Sequence, residues 1–130
     1  MPPGRAEGLP RHIADLVLAS LDDDKAEGAV VIDLDGKSTI ADYMIVASGR
    51  SARQVGAMSD HLLRKLKAAG LGPVRVEGRA NADWVLLDAG DVIVHLFRPD
   101  VRAFYNIEKM WDAEAPVAGR IGAAPTAHSA

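Results

Sequence analysis

Two short segments contain residue types that could carry chemistry, and both fail on spacing. The segment GKST (36–39) resembles the end of a phosphate-binding loop, but the glycine required before it is replaced by Val31. The segment DLDG (33–36) offers two carboxylates. If Asp33 opened a calcium-binding loop, the closing glutamate position would fall on Met44, which has no oxygen ligand. Both segments are therefore predicted to be turns.

The segment SGRS (48–51) lies between a predicted strand and a predicted helix, where backbone amides could hold an anion beside Arg50 and Arg53. Nucleotidyltransferases use a Gly-Ser loop at this kind of junction, and they also need carboxylates on the next strand to hold metal ions. The next strand, VRVE (74–77), supplies only Glu77. The segment does not favour metal-dependent phosphoryl transfer, although a nucleotidyltransferase-like enzyme remains the alternative hypothesis.

No other residues of the sequence suggest a catalytic or cofactor site. The absence of cysteine excludes disulfides and thiolate ligands. None of the histidines stands at metal-ligand spacing from another; they are His12, His61, His95 and His128. The sequence therefore predicts no catalytic residue, no metal and no cofactor.

The segment DWVLLDAGDVIVHLF (83–97) reads as a β-hairpin. With Ala89-Gly90 as the turn, Trp84 opposes His95, Leu86 opposes Ile93, and Asp88 opposes Asp91. Alternation along the strands then places only aliphatic residues on one face, which we predict to be the core face: Val85, Leu87, Val92, Val94 and Leu96.

The opposite face of this hairpin combines large apolar residues with ionisable ones: Trp84, Leu86, Asp88, Asp91, Ile93, His95 and Phe97. A second core would hardly include two aspartates and a histidine, and a solvated face would hardly include so many apolar side chains. Such a mixture is typical of a protein–protein interface, with Trp84 as the candidate anchor. The alternative is that a final helix over 100–112 folds back and covers this face.

The remaining elements alternate along the chain and position this hairpin. We predict helices from Leu9 to before Gly28, over 51–69, and over 100–112, with strands over 29–34, 42–48 and 74–77. Ser51 and Gln54 would form the capping box of the second helix, and the last helix would carry a core stripe of Phe104, Ile107 and Trp111. The order α-β-β-α-β-β-β-α predicts an α/β (α+β) fold, in which a mixed five-stranded sheet is covered by helices mainly on one face.

Composition supports a single small domain. The chain has 130 residues, 48% hydrophobic and 25% charged. We expect a flexible N-terminus over 1–8, one domain over 9–112, and a disordered tail rich in Ala, Pro and Gly over 113–130. No apolar run approaches the length of a signal peptide or a membrane helix, so a cytoplasmic location is expected.

The formal net charge of −3 is unevenly distributed. Residues 1–49 hold four Lys/Arg against nine Asp/Glu, whereas residues 50–79 hold seven against two. The basic segment 50–79 is either a solvated helix face or a patch for nucleic acid or an acidic partner. The acidic overall charge and the lack of alternating aromatic and basic residues argue against a plain RNA-binding module, which remains a second alternative.

Several blocks of the sequence, in order, resemble the Iojap-like family, the ribosomal silencing factors. They are ADYMIVASGRSARQVGAMSDHLLRKLKAAG, then VEG, then ADWVLLDAGDVIVHLF, then R-x-FY-x-IEKMW, and the resemblance spans about Leu9 to Trp111. It implies a homodimer with a nucleotidyltransferase-like fold that lacks the catalytic site. It also implies binding to the large ribosomal subunit through its fourteenth ribosomal protein, which would block subunit joining and repress translation when nutrients are short.

On this resemblance, Trp84 belongs to the contact with the ribosomal protein. The face assignment extends the predicted partner-binding set to Leu86, His95, Phe97 and Tyr105. Arg50 and Arg53 are predicted to form an electrostatic rim that steers association or contacts rRNA. No turnover is implied.

Overall fold

The computed structural model describes residues 3–34, 41–71 and 73–110. The helices are α1 (Pro3–Asp23), α2 (Ala52–Ala68), α3 (Pro99–Tyr105) and α4 (Ile107–Met110). The strands are β1 (Glu27–Asp33), β2 (Tyr43–Ser48), β3 (Arg75–Glu77), β4 (Trp84–Asp88) and β5 (Val92–Phe97). The turn predicted at 36–39, residue Trp111 and the tail predicted over 113–130 lie outside the described residues.

The strands form one five-stranded sheet in the order β1-β2-β5-β4-β3. Strands β2 and β5 run parallel, and every other neighbouring pair is antiparallel. A parallel pair needs a long crossover, which α2, β3 and β4 provide here. The predicted mixed sheet is confirmed.

The main core lies between the sheet and helices α1 and α2. Its helical residues include Val17, Leu21, Met58 and Leu62, each without exposed surface. The hairpin residues assigned to the core face are also completely buried, as predicted: Val85, Leu87, Val92, Val94 and Leu96. Burying side chains of this size stabilises the fold by roughly 1.5–3 kcal/mol each, which fixes the sheet against the helices.

The start of α2 agrees with its predicted cap. Ser51 Oγ accepts a hydrogen bond from the Gln54 amide at 3.1 Å, and Gln54 Oε1 accepts one from the Arg50 amide at 2.8 Å. The reciprocal bond thus reaches one residue further back than in the standard capping box. The helix begins at Ala52 because Ser51 is already extended, with φ −143° and ψ 164°.

The first and last predicted helices differ from the structure. Helix α1 begins at Pro3, earlier than the predicted start at Leu9. The single helix predicted over 100–112 is wrong, because Asn106 adopts a left-handed conformation (φ 48°, ψ 44°) and ends α3. Asparagine tolerates this region better than most residues, so a helix can stop there without glycine.

This break changes which side chains are buried. Ile107 is buried and joins a second, smaller cluster on the sheet face opposite α1 and α2, as predicted for the core stripe. Phe104 is 65% exposed, so its predicted place in the core is wrong. Helical spacing relates side chains only within one continuous helix, and Phe104 and Ile107 belong to different helices. The second cluster consists of Leu34, Ala41, Met44, Val46, Phe97 and Ile107.

Candidate functional site

The hairpin of β4 and β5 has a different register from the predicted one. Trp84 opposes Phe97 rather than His95, and Leu86 opposes His95. The difference arises because the turn residues are Gly90 and Asp91, not Ala89 and Gly90: the Ala89 amide donates to the Val92 carbonyl at 3.0 Å. A shift by an even number of residues leaves every side chain on its assigned face.

The two aspartates of the hairpin end the strands. Asp88 Oδ1 accepts a hydrogen bond from the Gly90 amide at 2.9 Å, which stabilises the turn. Asp91 lies in the turn, and its carbonyl accepts from the Asp42 amide at 2.8 Å, next to the start of β2. The predicted opposition of Asp88 and Asp91 is therefore wrong: Asp88 opposes Ile93, and both aspartates lie at the turn end of the hairpin, away from Trp84 at the start of β4.

Trp84 contacts three of the residues that were predicted to bind the partner with it: His95, Phe97 and Tyr105. Its indole N–H donates to His95 Nδ1 at 3.0 Å. Its ring centroid lies 5.0 Å from that of Phe97 and 4.8 Å from that of Tyr105, both in tilted arrangements. Tilted aromatic pairs at these distances are attractive beyond their buried area, so the indole is held in one orientation. Leu86 lies on the same face of β4, opposite His95.

His95 is the buried residue that accepts the hydrogen bond of the Trp84 indole. It is only 5% exposed, and burial lowers its pKa from 6.5 to about 4. A neutral ring is what the indole N–H requires, because an acceptor at Nδ1 cannot also carry a proton. His95 is thus a neutral acceptor near neutral pH, with its own proton on Nε2.

Exposure separates the predicted set into supporting and surface residues. Phe97 has no exposed surface and His95 almost none, so neither offers area to a partner in this conformation. Tyr105 is 41% exposed, and Phe104 beside it is more exposed still. We call Trp84, Phe104 and Tyr105 the aromatic face. Sequence reasoning missed Phe104, and the signal that could have revealed it is Asn106, which ends the helix.

A groove of about 460 Å³ lies along the aromatic face. Its lining residues are Asp83, Trp84, Asp100, Val101, Phe104 and Tyr105. Arg98 lies between its two carboxylates, with Nε 3.1 Å from Asp83 Oδ1 and Nη2 3.6 Å from Asp100 Oδ2. One guanidinium against two carboxylates leaves this part of the surface with a negative excess, unlike a surface built for nucleic acid.

The predicted electrostatic rim lies at the same end of the sheet as Trp84. Gly49, just before Arg50, donates its amide to the Phe97 carbonyl at 3.0 Å, next to the start of β4. Arg50 is exposed and contacts Glu27, with Nε 3.3 Å from Oε2. Arg53 is exposed in the first turn of α2.

Much of the basic segment 50–79 is compensated by acids. Besides the pair of Arg50 and Glu27, ion pairs join Lys65 to Asp23, Arg75 to Glu77 and Arg79 to Asp60. The hydrogen bond from Arg79 lowers the pKa of Asp60, which keeps that carboxylate charged. Exposed pairs of this kind stabilise a fold little, but they reduce the positive field available to a polyanion.

The anion site considered at 48–51, at the start of α2, is partly filled by the chain itself. The Gln54 amide is one of the few backbone donors at the start of α2 that have no partner within the helix, and it donates to Ser51 Oγ. Within 3–34, 41–71 and 73–110, no three His, Cys, Asp or Glu side chains are close enough to hold a metal ion together. In the same ranges, no helix has the length and hydropathy needed to cross a membrane.

Comparison with known proteins places this arrangement in a family. The family model described as "Ribosomal silencing factor during starvation" matches residues 9–129. The chain belongs to the ribosomal silencing factor family. It is 58% identical over 102 residues to the ribosomal silencing factor of Zymomonas mobilis, covering 78% of this chain and 77% of that relative. The resemblance seen in the sequence is confirmed.

Two further relatives extend the comparison. A crystal structure of a protein from Chromobacterium violaceum is 39% identical, with a TM-score of 0.78, covering 83% of this chain and 90% of that one. The match confirms the predicted fold. The mouse protein "Mitochondrial assembly of ribosomal large subunit protein 1" is 30% identical over 113 residues, covering 84% of this chain and 50% of that relative.

Proposed function

We propose that this protein silences ribosomes by binding rather than by catalysis. It docks on the large ribosomal subunit through the fourteenth ribosomal protein and sterically blocks the small subunit, so that translation falls under nutrient limitation. The observation that carries the proposal is the aromatic face: Phe104 and Tyr105 lie exposed beside a braced Trp84. Membership of the family, and the name of the mouse relative, which refers to the ribosomal large subunit, support a partner on that subunit.

The aromatic face has the properties of a binding hot spot. Tryptophan and tyrosine are enriched among residues whose truncation costs the most binding free energy. Trp84 is already fixed by the hydrogen bond to His95 and by the ring of Phe97, so little conformational entropy remains to be lost on docking. In this proposal Trp84, Tyr105 and Phe104 contact the partner, Leu86 extends the contact along β4, and His95 and Phe97 act as supports.

Arg50 and Arg53 have a secondary role in this proposal. Their position at the same end of the sheet would let them steer association or contact rRNA at the rim of the interface. The pair of Arg50 with Glu27 is exposed, so it can open at small cost when a phosphate approaches. Mutating this rim should therefore change the association rate and its salt dependence more than the dissociation rate.

Silencing by steric exclusion needs bulk and a long-lived contact, and it needs no cofactor or turnover. We propose that the protein acts as a homodimer in the cytoplasm, where the second copy adds bulk at the subunit interface. A single domain of this size would project only a short distance from its docking site, so a dimer would obstruct the small subunit more effectively.

The test is binding of the purified protein to isolated ribosomal subunits, followed on sucrose gradients and by titration. We expect binding to the large subunit only, and Trp84→Ala should weaken it by about 2–4 kcal/mol, or roughly 30-fold to several hundredfold in Kd. Lys67→Ala, at an exposed position in the last turn of α2, is the matched control and should bind normally.

The outcomes separate the parts of the proposal. If Trp84→Ala is folded and binds as tightly as the native protein, the aromatic face is not the docking site. If the native protein binds neither subunit, the silencing role is contradicted. A thermal-shift screen with nucleotides and Mg²⁺ would then examine the nucleotidyltransferase-like alternative.

A further inference from the structure

Helix α3 presents Phe104 and Tyr105, yet it has little hydrophobic anchoring of its own. It is seven residues long and contains no buried side chain. A helix this short is not stable in isolation, because nucleation costs more than a few hydrogen bonds return. Apart from half-buried Val101, which packs on the second cluster, polar contacts to the sheet must therefore help to determine where α3 lies.

The beginning of α3 is fixed to the start of β4. The Arg98 amide donates to the Asp83 carbonyl at 3.1 Å, directly beside Trp84. Pro99 then occupies the first turn, where its missing N–H costs nothing. These contacts hold one end of the helix, and the packing of Val101 on the second cluster restricts its rotation without forming a directional bond.

Arg102 supplies the second attachment of α3, which joins it to strands β1 and β2 near one edge of the sheet. Its Nη1 donates to Ser48 Oγ at 2.9 Å, and its Nη2 donates to the Gly28 carbonyl at 2.8 Å. Ser48 ends β2, and Gly28 lies at the start of the edge strand β1. We call Arg102, Ser48 and Gly28 the clasp. Because the guanidinium is a planar fork, two bonds in different directions fix its orientation as well as its position.

Gly28 is suited to this contact in two ways. Its φ of +58° is strained for residues with a side chain, and a Cβ there would lie 3.0 Å from Arg102 Nη1. The backbone at Gly28 therefore turns its carbonyl to the guanidinium while leaving room for it.

The geometry of the helix links the clasp to the aromatic face. Successive residues of an α-helix are rotated by about 100°, so Phe104 projects roughly opposite to Arg102. Tyr105, three residues after Arg102, lies almost one turn further along and projects to nearly the same side as Arg102. The clasp therefore influences the rotation of α3 about its axis. That rotation sets the direction in which the Phe104 side chain projects and the contact between the rings of Tyr105 and Trp84.

We propose that Arg102 is a positioning residue for docking: through the clasp it sets the angle of α3 and so completes the aromatic face without touching the partner. This inference rests on the proposed docking function. It predicts that affinity for the large subunit depends on the guanidinium fork and not on positive charge alone.

The experiment is a double-mutant cycle on large-subunit affinity. Arg102→Lys keeps the charge and loses the fork, and we expect it to weaken binding roughly tenfold, a coupling within the range seen for interacting positions. In a Phe104→Ala/Tyr105→Ala background, the same substitution should change Kd by less than about twofold, because the angle of α3 no longer matters. Val17→Ala, a core change on α1 far from the clasp, is the control for lost stability and should leave affinity unchanged while the protein is folded.

A second readout uses the free protein. Amide exchange in α3 should accelerate in Arg102→Lys, and the fluorescence of Trp84, recorded in a Trp111→Phe background, should change as Tyr105 shifts. An equal loss of affinity in both backgrounds, or no loss in either, would overturn the inference. If the native protein binds no subunit, the proposed function fails; unchanged exchange in α3 would then overturn the clasp itself, whereas faster exchange would leave the clasp standing without a docking role.

Discussion

Acidification should weaken this fold through His95. Burial lowers the pKa of His95 from 6.5 to about 4 in the folded protein. The unfolded chain therefore takes up the proton first as pH falls, so stability is complete above about pH 6.5 and is progressively lost towards about pH 4. Protonation also removes the acceptor for the Trp84 indole N–H, so acidification should also loosen the orientation of Trp84.

The magnitude follows from the difference between the two pKa values. Full protonation of only the unfolded state across this window corresponds to roughly 3 kcal/mol, at about 1.4 kcal/mol per pH unit. Between about pH 7 and about pH 5 the same linkage gives about 2 kcal/mol. This is a substantial part of the stability of a small domain, so a denaturation experiment can resolve it.

The assay is urea unfolding at a series of pH values for the native protein and His95→Gln. Glutamine does not titrate, and its carbonyl oxygen can still accept the indole N–H. The variant should therefore lose about 2 kcal/mol less than the native protein between about pH 7 and about pH 5. His12→Gln removes an exposed histidine and serves as the control. Parallel curves for the native protein and His95→Gln would refute the reasoning.

Two further predictions concern local structure. Ser51→Ala should cost about 1 kcal/mol of unfolding free energy by urea titration, because the Gln54 amide loses its cap; a loss below a few tenths would contradict the role of the cap. Gly78→Ala should destabilise the fold by well over about 1 kcal/mol, since its φ is +83° and the new Cβ would overlap the Trp84 carbonyl oxygen. Gly70→Ala, with a φ of +85° but no atom within 4 Å, shares the backbone strain without the clash, and equal losses in both variants would show that the clash is relieved elsewhere.

The sequence determined the elements whose signals are local. Ser51 and Gln54 marked the start of α2, and the alternating residues of β4 and β5 marked which face is buried. Even the wrong hairpin turn did not change those faces, because the actual register differs by an even number of residues. The family blocks, which are also a property of the sequence, identified the class of protein and led to the prediction that Trp84 contacts the partner.

Contacts between distant segments were decided only by the tertiary structure. The basic segment 50–79 reads as a patch in sequence, yet acids from α1 and β1 pair with Lys65 and Arg50 once the helices lie on the sheet. Likewise, Asn106 could have continued a helix or ended one, and the burial of Ile107 in the second cluster favours the ending that leaves Phe104 exposed. Local spacing specifies which residues share a face of an element, whereas what covers that face depends on where the rest of the chain packs.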